Sequence, residues 1–195
     1  ETVPRVGRYD FLEKSVVVNA QTKALYFKFE PGKSDWLADP ENQEAKRQLT
    51  IFLNQNPEII SLKITGLQSP EQAEGRTSQL GYRRAEGIGQ KLQEFFPGIS
   101  KDQFNIQSRW NDWVVFRVLL TDYAGIAEET KARYYKELDA EVTDFEKGIR
   151  MKAMPDFERV AAAIYPKLRS VLVELTAQPY VGLDWKKKNL LKESQ

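Results

Sequence analysis

The sequence contains no cysteine and no histidine. The first absence excludes disulfides and thiol catalysis, the second excludes imidazole proton relays, and together they exclude ordinary zinc and copper sites. Most hydrolase mechanisms go with them. Lack of cysteine does not fix a compartment, because a periplasmic protein can do without disulfides as readily as a cytosolic one. No apolar run approaches the roughly 20 residues that span a bilayer. The opening ETVPRVGRYD has neither the basic nor the apolar part of a signal peptide, so the chain reads as soluble and as a mature or trimmed form. A surplus of one charge is missing too. The 29 basic and 28 acidic residues nearly cancel, which leaves no broad positive field to steer nucleic acid or an anionic membrane. The densest basic stretch, WKKKNLLK at 185–192, reads as a solvated tail.

What is present suffices for one core: 195 residues, 41% of them hydrophobic, with no low-complexity tract. LEKSVVV (12–18) and KALYFKF (23–29) read as strands, the second alternating Leu25, Phe27 and Phe29 against Tyr26 and Lys28. EPGKSDWLADP then supplies turn residues, with Asp39 placed to cap a helix and Pro40 at its first position. Ala45, Leu49, Phe52 and Leu53 form one helical stripe before Pro57, and EIISLKITG (58–66) is a third strand. Thr77 or Ser78 caps the next helix, with Ile88, Leu92, Phe95 and Phe96 inward and FPG at its end; QFNIQS (103–108) follows as a strand. The order β, β, α, β, α, β predicts an α+β fold, a mixed β-sheet with helices packed on one face.

Beyond this, periodicity leaves DWVVFRVLL (112–120) open: it has strand composition, but Trp113, Phe116 and Leu120 also fit a helix that Asp112 would cap. AEETKARYYKELDAEVTDFEKGIR (127–150) reads as helical and charged, with a solvated face over a thin apolar seam. PDFERVAAAIYPKL is a further helix with Phe157, Val160, Ala161 and Ile164 inward, and RSVLVEL is the last strand.

LYFKFEPGKSDW, LNQNPEIISLKITG and above all LGYRRAEGIGQKL resemble the OmpA-like, peptidoglycan-associating domain family, over Ala24 to Ser108. GLQSPEQAEG, WNDW and IYPKLRSVLVEL are similar to a narrower group, the OmpA-like proteins of Bacteroidetes-type bacteria, some found beside fimbria-associated genes. That likeness extends to about Leu175 and favours helix for 112–120. It implies one OmpA-like domain over 1–195: a core of 12–109 and 167–176, a helical insertion of 110–166 before the last strand, and a basic tail of 177–195. The family implies a non-enzymatic domain of the periplasm, outer membrane or cell envelope, without cofactor, metal or transmembrane segment, and with peptidoglycan as ligand. The alternative it implies is a structural or assembly protein of the surface that meets an envelope or fimbrial protein and no longer binds peptidoglycan.

In wall-binding relatives an Asp in a Thr-Asp pair after the strand's Gly, together with the Arg of the Arg-Ala pair, holds the diaminopimelate of the stem peptide. The Arg maps to Arg84, the Asp to Ser69 and the Thr to Gln68. The implied ligand-binding set is therefore Arg84, Ser69, Gln68 and Leu80, with Glu71 or Glu74 as a stand-in for the lost carboxylate. Gly81 replaces the serine of the family's Leu-Ser pair. A guanidinium matches a carboxylate bidentately, whereas Ser69 keeps hydrogen bonding without charge, so affinity falls by roughly tenfold or more. Against the clamp stands a second reading of Arg84, a structural tie between the 67–77 loop and its helix through backbone carbonyls or a Glu. Arg84 lies one turn before Ile88 and points inward under either reading, while Arg83 lies about 100° away and reads as exposed. Trp110 and Trp113, spaced as at a helix start, are either an aromatic platform or core packing, and Tyr165 reads as a packed aromatic. Glu128/Glu129 and Asp139/Glu141 lack metal-loop glycines and read as solvated. Gly87 and Gly89 permit close backbone packing, and GIGQKL lacks the context of a phosphate loop. No catalytic constellation emerges.

Overall fold

A computed structural model describes residues 19–71, 74–75 and 79–179. The expected strand at 12–18, the caps at Thr77 or Ser78 and the basic cluster at 185–192 lie outside the described residues. The elements are β1 (Gln21–Lys28), α1 (Pro40–Gln55), β2 (Glu58–Gln68), α2 (Gln79–Phe95), a 3₁₀ turn (Lys101–Gln103), β3 (Phe104–Trp110), α3 (Trp113–Asp122), α4 (Glu128–Leu138), α5 (Asp144–Lys152), α6 (Phe157–Leu168) and β4 (Ser170–Gln178).

The four strands form a mixed sheet in the order β1-β4-β2-β3. β4 is antiparallel to β1 and β2, and β2 is parallel to β3. The α+β expectation, a mixed sheet with helices on one face, therefore holds. Leu25 and Phe27 of β1, Leu62 and Ile64 of β2, and Val171, Val173 and Leu175 of β4 point into a core closed by Leu49 of α1 and Ile88 and Leu92 of α2. Tyr26, on the opposite face, is exposed.

Asp39 caps α1 by accepting from the Asn42 amide at 2.7 Å, with Pro40 in the first turn. Asn42 in turn accepts from Lys28 N and donates to Lys28 O and Leu37 O, which fixes the end of β1 against α1. The hydrogen bond from Lys33 N to Glu30 O, with Pro31 second and Gly32 third at φ 67°, is the pattern of a type II turn. That turn becomes one wall of the site.

Residues 112–120 are helical: Asp112 caps α3 by accepting from Val115 N, and Trp113, Phe116 and Leu120 are buried. They join Tyr134, Leu138, Met151, Val160, Ile164 and Leu168 in a second apolar cluster. Three expectations need correction. The charged stretch 127–150 is two helices, because Thr143 caps a new one by accepting from Glu146 N, and Lys131 in it is buried, donating to Thr121 O. Trp110 ends strand β3 rather than opening a helix. Ala177 and Gln178, assigned to the tail, extend β4.

Candidate functional site

Arg84, on the second turn of α2, has no exposed surface. Buried guanidinium groups must spend their donors on protein acceptors, and all five of this one are spent. Nε donates to Lys33 O at 2.8 Å, Nη1 to Leu67 O at 3.0 Å and Nη2 to Glu30 O at 3.1 Å. The remaining two meet the Glu74 carboxylate as a fork, Nη1 to Oε2 at 2.5 Å and Nη2 to Oε1 at 2.9 Å. Both side chains of the pair are 0% exposed. Glu74 Oε1 also accepts from Gly32 N at 2.7 Å, and the Phe29 ring lies 5.2 Å from the guanidinium carbon. The Glu30–Lys33 turn thus supplies two carbonyls to the cation and one amide to the anion.

Gln68, at the end of β2, completes the enclosure. Its Nε2 donates to Glu74 O at 2.9 Å and its Oε1 accepts from Gly81 N at 2.8 Å, satisfying one of the amides that a helix leaves unpaired at its first turn. The approach of β2 to α2 depends on two glycines: a Cβ on Gly66 would lie 1.7 Å from Gly81 O, inside any permitted contact. A serine at position 81 would meet the Gly66 carbonyl at 2.9 Å. The closest packing falls here rather than at Gly87, where an added Cβ meets only Ser34 O at 3.6 Å; Gly89 does pack closely, against Phe104.

Ser69 and Glu71 belong to a neighbouring cluster. Ser69 Oγ donates to Glu71 Oε1 at 2.8 Å, and Arg169, at the α6–β4 junction, donates to the same oxygen. Burial, and after it the charge of Glu71, pushes the Tyr165 hydroxyl far above the usual tyrosine range. The proposed ligand set is therefore divided. Arg84 and Gln68 share the Glu74 enclosure, Ser69 and Glu71 face Arg169, and Leu80 is buried. Arg83 is exposed. Glu74 pairs with the arginine itself instead of replacing the missing Asp, and Gly32 and Arg169 were not singled out by sequence. The EPGK turn signal was visible, but its carbonyls, not its side chains, carry the contact.

Among the described residues no group of acidic side chains could hold a metal, and no helix is long and apolar enough to cross a membrane. No family model and no curated protein matches the sequence. Among solved structures, the chain is similar to the OmpA-like domain of FopA1 from Francisella tularensis subsp. tularensis SCHU S4, with 14% identity, 82% of this chain and 75% of that chain covered, and a TM-score of 0.44. It is similar to the peptidoglycan-associated lipoprotein from Burkholderia pseudomallei (15% identity, 78% and 89% covered, TM-score 0.41) and to the periplasmic domain of Helicobacter pylori MotB, residues 90–256 (12% identity, 89% and 83% covered, TM-score 0.40).

Proposed function

We propose that the chain is a non-enzymatic anchoring domain of the bacterial cell envelope whose wall-binding groove is closed by its own carboxylate, and which attaches through a protein partner rather than through a stem peptide. One observation carries this reading: every N–H of Arg84 is already used, two of them on Glu74, with no exposed surface on either side chain. A ligand carboxylate would have to expel Glu74 and leave it unpaired in a dry site, at a cost of several kcal/mol. Ser69, the counterpart of the family's ligand-binding Asp, carries no charge and is itself held by Glu71. The OmpA-like sequence motifs support the envelope setting, and the surface-assembly role that the resemblance implies is the form the partner reading takes.

Co-sedimentation with purified peptidoglycan sacculi tests it, with the wild type, Ser69→Asp and Glu74→Gln compared. The wild type is expected to stay in the supernatant at physiological salt. Pelleting of the wild type that free diaminopimelate reverses would mean that Glu74 yields to the ligand and that the groove is a working wall clamp.

A further inference from the structure

β3 is an edge of the sheet: β2 lies along one side and, among the described residues, no strand lies along the other. A free edge presents a row of unpaired backbone amides and carbonyls, and folded chains commonly blunt it with lysine, proline or a bulge. β1, at the opposite edge, carries Lys23 and Lys28. β3, FNIQSRW, has no lysine and no proline, and it keeps one unbroken register with β2 from Phe104 to Trp110. Asn105, Gln107 and Arg109 are exposed on one of its faces. On the other, Phe104 and Ile106 form a groove of about 400 Å³ with Tyr82, Glu86, Gly89 and Gln90 of α2, among others.

We propose that this edge is the contact surface for a second copy of the chain, the two β3 strands pairing antiparallel about a two-fold axis at Gln107. Self-complementarity selects a copy of the same chain as the occupant. The register centred on Gln107 is the one that pairs all seven residues of the strand. It sets Gln107 against Gln107, Asn105 against Arg109, Ile106 against Ser108 and Phe104 against Trp110, so no charge meets its like. An amide side chain both donates and accepts, which makes Gln107 a partner for itself. The groove is complementary in the same sense. Gly81 sits against Gly66, which is level with Ser108, while Gly89 sits against Phe104, so Tyr82 and Gly89 lie on opposite sides of the axis. The two-fold exchanges these sides and brings the Tyr82 ring of each copy, 44% exposed, over Glu86 and Gly89 in the groove of the other. Seating Tyr82 adds the flanks of α2 to the strand pair, towards the roughly 1,000 Å² that a specific interface buries.

None of these residues encloses Arg84, so the proposal stands or falls independently of the sacculus result. The chain has no cysteine, and single cysteines therefore report the register. Under mild oxidation the full chain carrying Gln107→Cys, whose Cβ atoms would face each other at about 4.5–5.5 Å, is expected to form a covalent dimer. Asn105→Cys, about 13 Å from its own copy along the strand, is expected not to. Sedimentation velocity over a concentration series follows the protein without the cross-link. Gln107→Lys is expected to weaken self-association about fivefold by setting like charges opposite each other, and Gln107→Glu to do the same, while an equimolar mixture of the two restores it. Tyr82→Ala is expected to weaken it about tenfold. Unchanged thermal midpoints in these variants separate lost association from lost folding. A wild type that stays monomeric up to millimolar concentration overturns the proposal. So does a dimer that Gln107→Lys leaves unchanged, or one that Asn105→Cys links as efficiently as Gln107→Cys.

Discussion

Glu74→Gln removes one charge from the enclosed pair and keeps the side chain's shape. The guanidinium would retain its three carbonyl acceptors, Glu30 O, Leu67 O and Lys33 O, but the amide turns a donor toward one of the two remaining N–H groups, or toward Gly32 N. A full positive charge is left buried without its counter-charge, which costs about 3–5 kcal/mol. In urea unfolding followed by tryptophan fluorescence, with a slope of about 2 kcal/mol/M, the midpoint falls by roughly 2 M. The partner variant Arg84→Met should be comparably damaging, because it strands Glu74 in turn. The double variant Glu74→Leu/Arg84→Met removes both charges and should be more stable than the sum of the two single losses predicts, since residues in contact are not additive. A Glu74→Gln protein within about 0.5 kcal/mol of wild type would refute the reasoning, because surface substitutions behave that way and desolvated ion pairs do not.

Gly66→Ala places a methyl on the Gly81 carbonyl and should cost about 1–3 kcal/mol or more through forced separation of β2 and α2, read as a lowered thermal midpoint. Gln68→Ala loses both its hydrogen bonds and leaves Gly81 N–H unpaired in a buried site, so a loss of about 1–3 kcal/mol is expected from the same measurement. Burial, and second the charge of Asp156, raises the Tyr134 hydroxyl from 10.0 to about 12. Its folded form favours the neutral phenol, so this contribution to stability is complete below pH 10 and is lost as the pH rises towards 12, where the unfolded chain ionises first. Urea midpoints measured across that window should fall with pH in wild type, and less steeply in Tyr134→Phe.

Much of the scaffold was legible because its signals are local. Asp39 with Pro40 starts α1 as read, and the Leu25 and Phe27 alternation buries the face it predicted. Periodicity alone left 112–120 undecided, and the Asp112 cap with Trp113, Phe116 and Leu120 on one stripe is the arrangement that formed. The break in 127–150 was also written locally, in the Thr143 cap, but a charge pattern continuous across it concealed the signal. Arg84's inward direction followed from its spacing to Ile88. A tie to the 67–77 loop through backbone carbonyls or a Glu was among the readings, and Leu67 O and Glu74 supply it; which Glu it would be, and that the carbonyls of Glu30 and Lys33 would join it, had no sequence signature. The Gly66–Gly81 contact was hidden for the same reason: one glycine lies in a strand and the other in a helix, and only their tertiary approach gives them meaning. Where sequence offered a carboxylate clamp and a structural tie, the donors of one guanidinium, all spent within the chain, support the separation proposed above in favour of the tie.

The most direct test of that separation is the Arg84 Nε–H resonance of the full chain, observed by NMR in the absence and presence of free diaminopimelate. A closed pair predicts a signal protected from exchange with water and unmoved by millimolar ligand. Rapid exchange together with a saturable shift would show a guanidinium open to solvent and ligand, and would contradict the account.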